Sequence, residues 1–204
     1  LLYKDPVSKK RQRGVAEIGF YAQQERRVLE QCGRLDPADL DEYIAHQGYR
    51  AAWRAYHELD PAAICQEVLD AGLRGRGGGG FPTGRKWQLA LAQPAKKKYL
   101  VCNGDEGDPG AFMDRSLMEG NPHAVIEGMM IAARGIGADE GIIYVRAEYP
   151  LAVERMRAAV EHARSAGILG DDALGCGQRF DLWIMEGAGA FVCGEETALL
   201  ASVE

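Results

Sequence analysis

The segment from residue 72 to residue 87, GLRGRGGGGFPTGRKW, combines residue types that bind phosphate groups. Six glycines fall within residues 72–80, and glycines let the backbone adopt positive φ and turn N–H groups toward an anion. Phe81 supplies a planar ring for stacking. A flexible linker is the alternative, but linkers are usually rich in serine and lack interleaved arginines. The segment also holds four cations that add positive charge near a phosphate: Arg74, Arg76, Arg85 and Lys86.

Two known phosphate-binding motifs are close to this segment without matching it. The glycines of residues 75–80 satisfy the Gly-x-Gly-x-x-Gly pattern of dinucleotide sites, but that pattern follows a strand and opens a helix. Here a helix is predicted to end at Gly72, directly before the pattern. A P-loop is disfavoured because Trp87 stands where the Mg²⁺-binding Ser or Thr belongs. What both motifs share, backbone N–H groups around an anion, remains available.

A second segment, residues 102–115 (CNGDEGDPGAFMDR), follows a short apolar run that predicts a buried strand. Loops at the carboxyl ends of such strands bind ligands in α/β folds. Carboxylates beside a phosphate site should accept hydrogen bonds from ribityl or ribose hydroxyls and ring N–H groups. A calcium loop fits poorly because Pro109 interrupts it, and a plain acidic turn stays open. The candidate side chains are Asn103, Asp105, Glu106 and Asp108.

A third segment, residues 186–200 (EGAGAFVCGEETALL), repeats this arrangement. Small residues follow another predicted strand, and Gly194, Glu195 and Glu196 open a helix. Acidic residues in a first helical turn are also favourable with the helix dipole alone. The third segment by itself therefore leaves a functional and a purely structural interpretation open.

The elements that carry these segments alternate between strand and helix from residue 97 onward. This alternation predicts an α/β layered domain. Asn121 and Pro122 cap the first of its helices, Gly135 is expected to end it, and the last helix is still running at Glu204, so we expect the chain to stop within the domain. The predicted strands are 98–103, 140–148 and 180–187, and the predicted helices are 121–135, 150–167 and one beginning near 194.

The N-terminal part predicts helices rather than strands. Asp36 is expected to cap one helix with Pro37 at its first position, and Asp60 with Pro61 repeats the device for another. Gly72 is placed to end that second helix. The basic, polar beginning of the chain is expected to be an extended arm. The predicted division is an arm (1–19), a helical segment (20–72) and an α/β domain (73–204).

Composition excludes several classes of protein. The net charge of −6 argues against a nucleic-acid partner, and no apolar run approaches the length of a membrane span. The five cysteines form no CxxC pair, which matches neither a zinc site nor a disulfide framework. Reduced thiols in a cytoplasmic setting are expected, with any iron–sulfur ligands outside this chain.

Taken together and in this order, the three segments resemble the signature stretches of a flavoprotein family. The family is the NADH-binding FMN subunit of respiratory complex I and its soluble relatives, the diaphorase subunits of NAD(P)-linked hydrogenases and formate dehydrogenases. The resemblance runs from about residue 25 to the end. It implies an oxidoreductase that transfers hydride between nicotinamide and FMN and then single electrons to iron–sulfur clusters. It also implies a Rossmann-like FMN-binding domain, here truncated at its C-terminus.

The resemblance also implies roles for particular positions. NADH is expected to stack over the flavin. Hydride transfer needs no acid or base catalyst, so no side chain is assigned that role. Glu195 is the one candidate for tuning the redox potential or the protonation of the flavin. The family usually has Tyr at position 191, where this chain has Phe191, and complex I members often have Glu at position 108, which leaves the choice between NADH and NADPH open. The implied FMN residues are Gly75, Arg76, Gly77, Lys86, Asn103, Asp105, Glu106, Gly194, Glu195 and Glu196, and the implied NAD residues are Gly78, Gly80, Phe81 and Asp108.

The family implies partners as well. We expect iron–sulfur protein subunits of a hetero-oligomeric complex, including a thioredoxin-like [2Fe–2S] protein, and a [4Fe–4S] cluster only in a C-terminal part beyond residue 204. The complex is expected in the cytoplasm or on the cytoplasmic face of a membrane, without membrane insertion of this chain. Two alternatives remain: a dinucleotide-binding module without redox activity, and a structural piece that docks other subunits. The parent complex and the direction of electron flow stay open.

Overall fold

The computed structural model describes residues 3–204, which divide into two compact units, the first ending at Glu30 and the second being Gln31–Glu204. In the first unit two short strands pair antiparallel, and the Asp5 carboxylate accepts the Val7 N–H at 3.0 Å in the turn between them. The extended arm predicted for residues 1–19 is therefore a hairpin over much of its described part, and residues 1 and 2 lie outside the described residues. The elements of this unit are β1 (Tyr3–Lys4), β2 (Arg11–Gln12) and α1 (Gly19–Ala22).

The second unit is built on a three-stranded parallel sheet. The strand order follows the chain, β3–β4–β5, and Ile143 of the central strand lies opposite Cys102 and Ile184. All three carboxyl ends therefore meet at one edge of the sheet. The central strand is buried from Gly141 onward because strands flank it on both sides and helices cover it. The predicted α/β class is confirmed, with strands β3 (Tyr99–Gly104), β4 (Glu140–Arg146) and β5 (Asp181–Gly187).

Helices connect these strands. Two helices connect β3 to β4, and Asn121 caps the longer of them by accepting the Ala124 N–H at 3.3 Å, as predicted. That connection also contains a short helix before Asn121 that the sequence patterns do not predict. No helix among residues 3–204 is long and apolar enough to cross a bilayer. The helices are α6 (Met113–Gly120) and α7 (Pro122–Ile136) between β3 and β4, α8 (Pro150–Ser165) between β4 and β5, and α9 (Glu196–Val203) after β5.

The predicted end of α7 at Gly135 is wrong. The helix continues to Ile136, and Gly137 adopts the left-handed conformation that ends it, with φ of 74°. Gly135 is a glycine for a different reason: a Cβ there would lie 3.3 Å from both Ile64 and Trp87. Close packing against Ile64 and Trp87, rather than helix termination, favours a residue without a side chain at position 135.

Four helices precede the sheet in the second unit. For α4 the prediction is confirmed: Asp60 accepts the Ala63 N–H at 2.8 Å, Pro61 follows, and Gly72 has φ of 70° just beyond the end. For α2 the predicted cap Asp36 is wrong. The helices are α2 (Leu40–Ala45), α3 (Arg50–His57), α4 (Pro61–Asp70) and α5 (Thr83–Leu91).

The N-cap of α2 is Asp39, which accepts the Glu42 N–H at 2.9 Å. Asp36 lies one turn earlier, where its N–H donates to the Glu42 carboxylate at 2.7 Å. The two aspartates are three residues apart, so both satisfy the sequence signal for a cap. Asp39 is the cap because its side chain accepts the Glu42 N–H.

Helix α5 is not predicted by the sequence patterns, yet it positions the glycine segment. Gly84 lies against α4 so closely that a Cβ there would be 2.5 Å from the Cys65 carbonyl oxygen and 2.7 Å from the Leu69 Cα. At the other end of α5, Lys98 Nζ donates to the carbonyls of Leu91 at 2.9 Å and Ile136 at 3.0 Å. These contacts fix α5 against α4 and α7, and hence the loop that leads into it.

Candidate nucleotide-binding site

The glycine loop, residues 73–82, is closed at its base. The Gly75 N–H donates to the Phe81 carbonyl at 2.9 Å, and the Thr83 N–H donates to the Leu73 carbonyl at 2.9 Å. Arg74 Nη1 spans the loop and donates to the Gly80 carbonyl at 3.0 Å. The loop therefore leads directly into α5, which corrects one expectation: the glycine pattern does precede a helix, although the element directly before the pattern is helix α4 and not a strand.

The face of this loop is open. A Cβ added at any of residues 77–80 would meet no protein atom within 4 Å. Gly78 and Gly80 need glycine for their positive φ, of 93° and 59°, whereas Gly77 and Gly79 lie outside that region. Neither packing nor backbone conformation in the described chain therefore requires glycine at positions 77 and 79. A ligand lying against the backbone is one physical reason for glycine at these two positions.

The four cations of the glycine loop and of the first turn of α5 make no ion pair within residues 3–204. Salt bridges hold other arginines of the chain, but none involves Arg74, Arg76, Arg85 or Lys86. Lys86 lies exposed in the first turn of α5, whose N-cap Pro82 offers no side-chain hydrogen bond. A helix N-terminus and an unpaired lysine both favour an anion. Phe81 is half-exposed beside them.

At the carboxyl edge of the sheet the second and third segments meet. Asn103, near the end of β3, donates from Nδ2 to the Gly194 carbonyl at 3.0 Å and accepts the Asp105 N–H at 3.2 Å. A Cβ at Gly194 would lie 3.4 Å from the Asp105 carbonyl oxygen. We call Asn103, Asp105, Gly194 and Arg146 the strand-end cluster.

Asp105 is the most unusual member of this cluster. Its side chain is 0% exposed, and neither carboxylate oxygen has a hydrogen-bond partner among the residues described. Burial raises its pKa, Arg146 opposes that rise, and Glu148 adds to it. Buried polar atoms in native proteins nearly always have a partner. A ligand that presents hydroxyl or N–H groups fits this carboxylate.

The other two acidic positions of the second segment differ in their surroundings. Glu106 is buried and accepts the N–H groups of Met113 at 2.6 Å and Arg115 at 3.1 Å, so it caps α6. Asp108 is exposed in the loop before α6. Glu106 therefore supports the loop with both oxygens, while Asp108 is accessible to a ligand.

In the third segment Glu195 caps α9. It accepts the N–H groups of Thr197 at 3.1 Å and Ala198 at 3.2 Å, and the Thr197 hydroxyl at 3.0 Å. These hydrogen bonds, led by the one from the Thr197 N–H, lower the pKa of Glu195. At neutral pH the side chain is a fixed anion and not a proton donor. Glu196 and Phe191 are exposed nearby in sequence.

Sequence reasoning missed Arg146, the last residue of β4. It is buried, donates from Nε to Glu148 Oε2 at 2.6 Å and from Nη2 to the Gly189 carbonyl. A sequence signal for it existed: a charged residue ends the most apolar predicted strand, at the edge of the sheet where α/β folds bind ligands. Within residues 3–204 no hydrogen bond or ion pair joins the glycine loop to the strand-end cluster, so the structure presents two candidate areas.

Comparison with known proteins supports a nucleotide site. Residues 68–204 match the family model described as the Nuo51 FMN-binding domain. The chain is 52% identical over 173 residues to the NADP-reducing hydrogenase subunit HndC of Solidesulfovibrio fructosivorans, covering 85% of this chain and 35% of that protein. It is 46% identical over 169 residues to a subunit of the NADH-quinone oxidoreductase of Escherichia coli, covering 82% of this chain and 38% of that protein.

A crystal structure of an NAD⁺-reducing [NiFe]-hydrogenase in the air-oxidized state superimposes with a TM-score of 0.68 at 39% identity. The match covers 89% of this chain and 28% of that one. The chain thus spans between a quarter and two fifths of the length of these relatives.

Proposed function

The chain belongs to the family of Nuo51 FMN-binding domains, and from this membership we propose that it forms part of the flavoprotein subunit of an NADH-oxidising enzyme. The observation that carries the proposal is the pairing of an open glycine face with unpaired cations and a buried, unpartnered carboxylate. Bound FMN supplies the chemistry, accepting hydride from nicotinamide and passing electrons on singly. The protein's residues bind and orient.

The glycine loop suits the phosphate-bearing parts of the ligands. Backbone N–H groups of Gly77 to Gly80 and the charges of Arg76 and Lys86 attract phosphate, and the open face lets the ligand lie against the backbone. Phe81, half-exposed on the same loop, stacks on the nucleotide base.

The strand-end cluster suits hydroxyl and ring groups. Asp105 accepts from ribityl hydroxyls, Asn103 and Gly194 keep two loops together beside it, and Glu106 holds the α6 end of the same loop. Glu195 and Glu196 border the flavin, where the anionic Glu195 opposes build-up of negative charge on a neighbouring ring. Such a fixed charge changes a redox potential without moving a proton.

The nucleotide is proposed to be NADH. Asp108 is exposed in the loop after β3, and a carboxylate that bonds a ribose hydroxyl repels a 2′-phosphate. The relatives' names include both an NADP-reducing and an NADH-oxidising protein. Replacing Asp108 with Asn should therefore raise the activity ratio of NADPH to NADH.

Partners follow from the relatives, which are subunits of complexes. We propose iron–sulfur proteins of such a complex as electron acceptors, with a thioredoxin-like [2Fe–2S] protein among them, in the cytoplasm or at its membrane face. We propose a [4Fe–4S] cluster only for a C-terminal part of the enzyme beyond residue 204, as the resemblance implies.

The decisive experiment is the visible absorption spectrum of the purified full-length protein before and after anaerobic addition of NADH. Flavin bands that bleach with NADH support the proposal. Absence of flavin, even with excess FMN, overturns it. A colourless protein whose melting temperature rises with NADH indicates a nucleotide-binding module without redox activity instead, and no response to either ligand indicates a structural role.

A further inference from the structure

Arg146 lies close enough to Asp105 to attract its charge but donates no hydrogen bond to it. The Arg146 Nε atom lies 3.9 Å from Asp105 Oδ1, close enough for charge attraction and too far for a hydrogen bond. Both side chains are at most 9% exposed, so the attraction acts through a medium of low dielectric constant. Neither Asp105 oxygen accepts a hydrogen bond from any residue that the structure describes.

Hydrogen bonds to other residues keep the Arg146 guanidinium from moving into hydrogen-bond distance of Asp105. Its Nε donates to Glu148 at 2.6 Å and its Nη2 to the Gly189 carbonyl. Its Nη1 lies under Gly107, where an added Cβ would be 2.6 Å away. Loops after all three strands therefore hold Arg146 in place.

From this geometry we propose that Arg146 is a positioning residue that keeps the buried Asp105 carboxylate ionised, and thereby available to accept a hydroxyl hydrogen bond from FMN. The inference rests on the proposed function. It assigns Arg146 no contact with the flavin; the residue acts through Asp105.

The charges around Asp105 give the inference a pH signature. The groups near it are Arg146 and Tyr144 on β4, Glu148 just after β4, and Cys193, which faces Tyr144. Arg146 is the one cation among these. Burial and Glu148 already raise the pKa of Asp105, and Arg146 opposes them. Without Arg146 the carboxylate is protonated at higher pH and loses part of its capacity to accept.

The test measures FMN affinity by quenching of flavin fluorescence from pH 6 to pH 9 in the full-length protein. Arg146→Gln should weaken binding most at the acidic end and progressively less toward the alkaline end, because loss of the cation raises the pKa of Asp105 further. Arg146→Lys should restore much of the wild-type profile, since it keeps the charge. Ionisation of the FMN phosphate, with a pKa of about 6, affects all variants equally.

Two further variants separate a positioning role from a structural one. In an Asp105→Asn background, Arg146→Gln should add no pH dependence, because no carboxylate remains to titrate. Arg179→Gln, which removes an arginine bonded to Glu140 at the opposite end of β4, should leave the profile as in wild type. Far-UV circular dichroism checks that each variant is folded.

The outcomes are distinct. A wild-type protein that binds no FMN overturns the proposed function and the inference with it. Wild-type binding combined with an Arg146→Gln loss of equal size at every pH, unchanged by Asp105→Asn, overturns the inference alone and leaves Arg146 as a structural link between loops.

Discussion

At Gly77 the backbone has no positive φ, and an added Cβ would meet no protein atom within 4 Å. Gly77→Ala should therefore change the free energy of unfolding by less than about 1 kcal/mol. If FMN lies against this face as proposed, the added methyl group should weaken FMN binding at least about tenfold. Urea denaturation and FMN titration measure the two effects. Unchanged FMN affinity would show that the open face does not contact FMN.

Gly78 provides the contrast on the same loop. Its φ of 93° is a conformation that alanine adopts only with strain. Gly78→Ala should lower both stability, by about 1–2 kcal/mol, and FMN affinity. Comparing the two alanine variants separates the need for glycine conformation from the need for an open backbone face.

His123 adds a pH dependence to stability that is independent of any ligand. It is 1% exposed, accepts or donates at Nδ1 to the Tyr49 hydroxyl at 2.8 Å, and its Nε2 has no partner among the described residues. Burial, with a smaller effect from His162, lowers its pKa to about 4. Between about pH 4 and the ordinary value near 6.5 the unfolded chain binds more protons.

Stability should therefore fall as pH decreases from about 6.5 to about 4, on the order of 3 kcal/mol from this group. Urea denaturation at several pH values measures the slope. His123→Phe should flatten it, even though loss of the Tyr49 hydrogen bond lowers overall stability. His46→Gln, at an exposed position, is the control and should keep the slope. An equal slope in the His123 variant would assign the effect to other groups.

At the residue scale, sequence reasoning predicted which strand-end positions lie together and did not predict the partners of each side chain. The candidate positions Asn103, Asp105 and Gly194 lie together because carboxyl ends of parallel strands share an edge. Their individual environments were not predictable, because Arg146 and Glu148 reach Asp105 only through the sheet register. Asp108 and the glycine loop remain predicted ligand residues.

At the scale of elements, the contact between α4 and α5 depends on Gly84. Gly84→Ala would place a Cβ 2.5 Å from the Cys65 carbonyl, and the helices would have to separate. We expect a loss of about 1–3 kcal/mol of stability and weaker FMN binding, since α5 carries the base of the glycine loop. Chemical denaturation and FMN titration measure both.

Gly128→Ala is the matched control, because Gly128 also lies within a helix but a Cβ there meets nothing within 4 Å. It should stabilise the protein by about 0.5–1 kcal/mol through helix propensity. Equal effects of the two alanine substitutions would mean that α4 and α5 are not in the close contact described.

The helices that were predicted and those that were missed differ in the capping residues at their N-termini. Helices α4 and α7 begin with Asp60-Pro61 and Asn121-Pro122, and both caps were predicted because they are local. Helices α5 and α6 follow a glycine-rich and an acidic loop, and neither begins with a side-chain cap of its own. The Glu106 carboxylate that bonds the first turn of α6 comes from seven residues earlier in the chain, beyond the reach of capping patterns.

At the scale of the whole molecule, net charge and local charge oppose one another. The chain carries −6, from 24 cations and 30 anions, which repels an anionic cofactor. The glycine loop and the first turn of α5 present four cations without ion pairs in the described chain. Charges farther than a Debye length of about 10 Å at 0.1 M salt are largely screened, so the local cations should dominate.

FMN affinity should therefore decrease as salt rises from about 0.05 M to about 0.5 M, roughly three- to tenfold, because screening removes more local attraction than distant repulsion. Lys86→Gln should weaken binding at low salt and reduce this dependence, since it removes one of the two charges in the first turn of α5 that have no ion pair in the described chain. Lys96→Gln makes the same charge change at an exposed position outside the loop and should leave the slope unaltered. Affinity that increases with salt would mean that the net negative charge governs binding, and the phosphate would then have to lie away from the glycine loop.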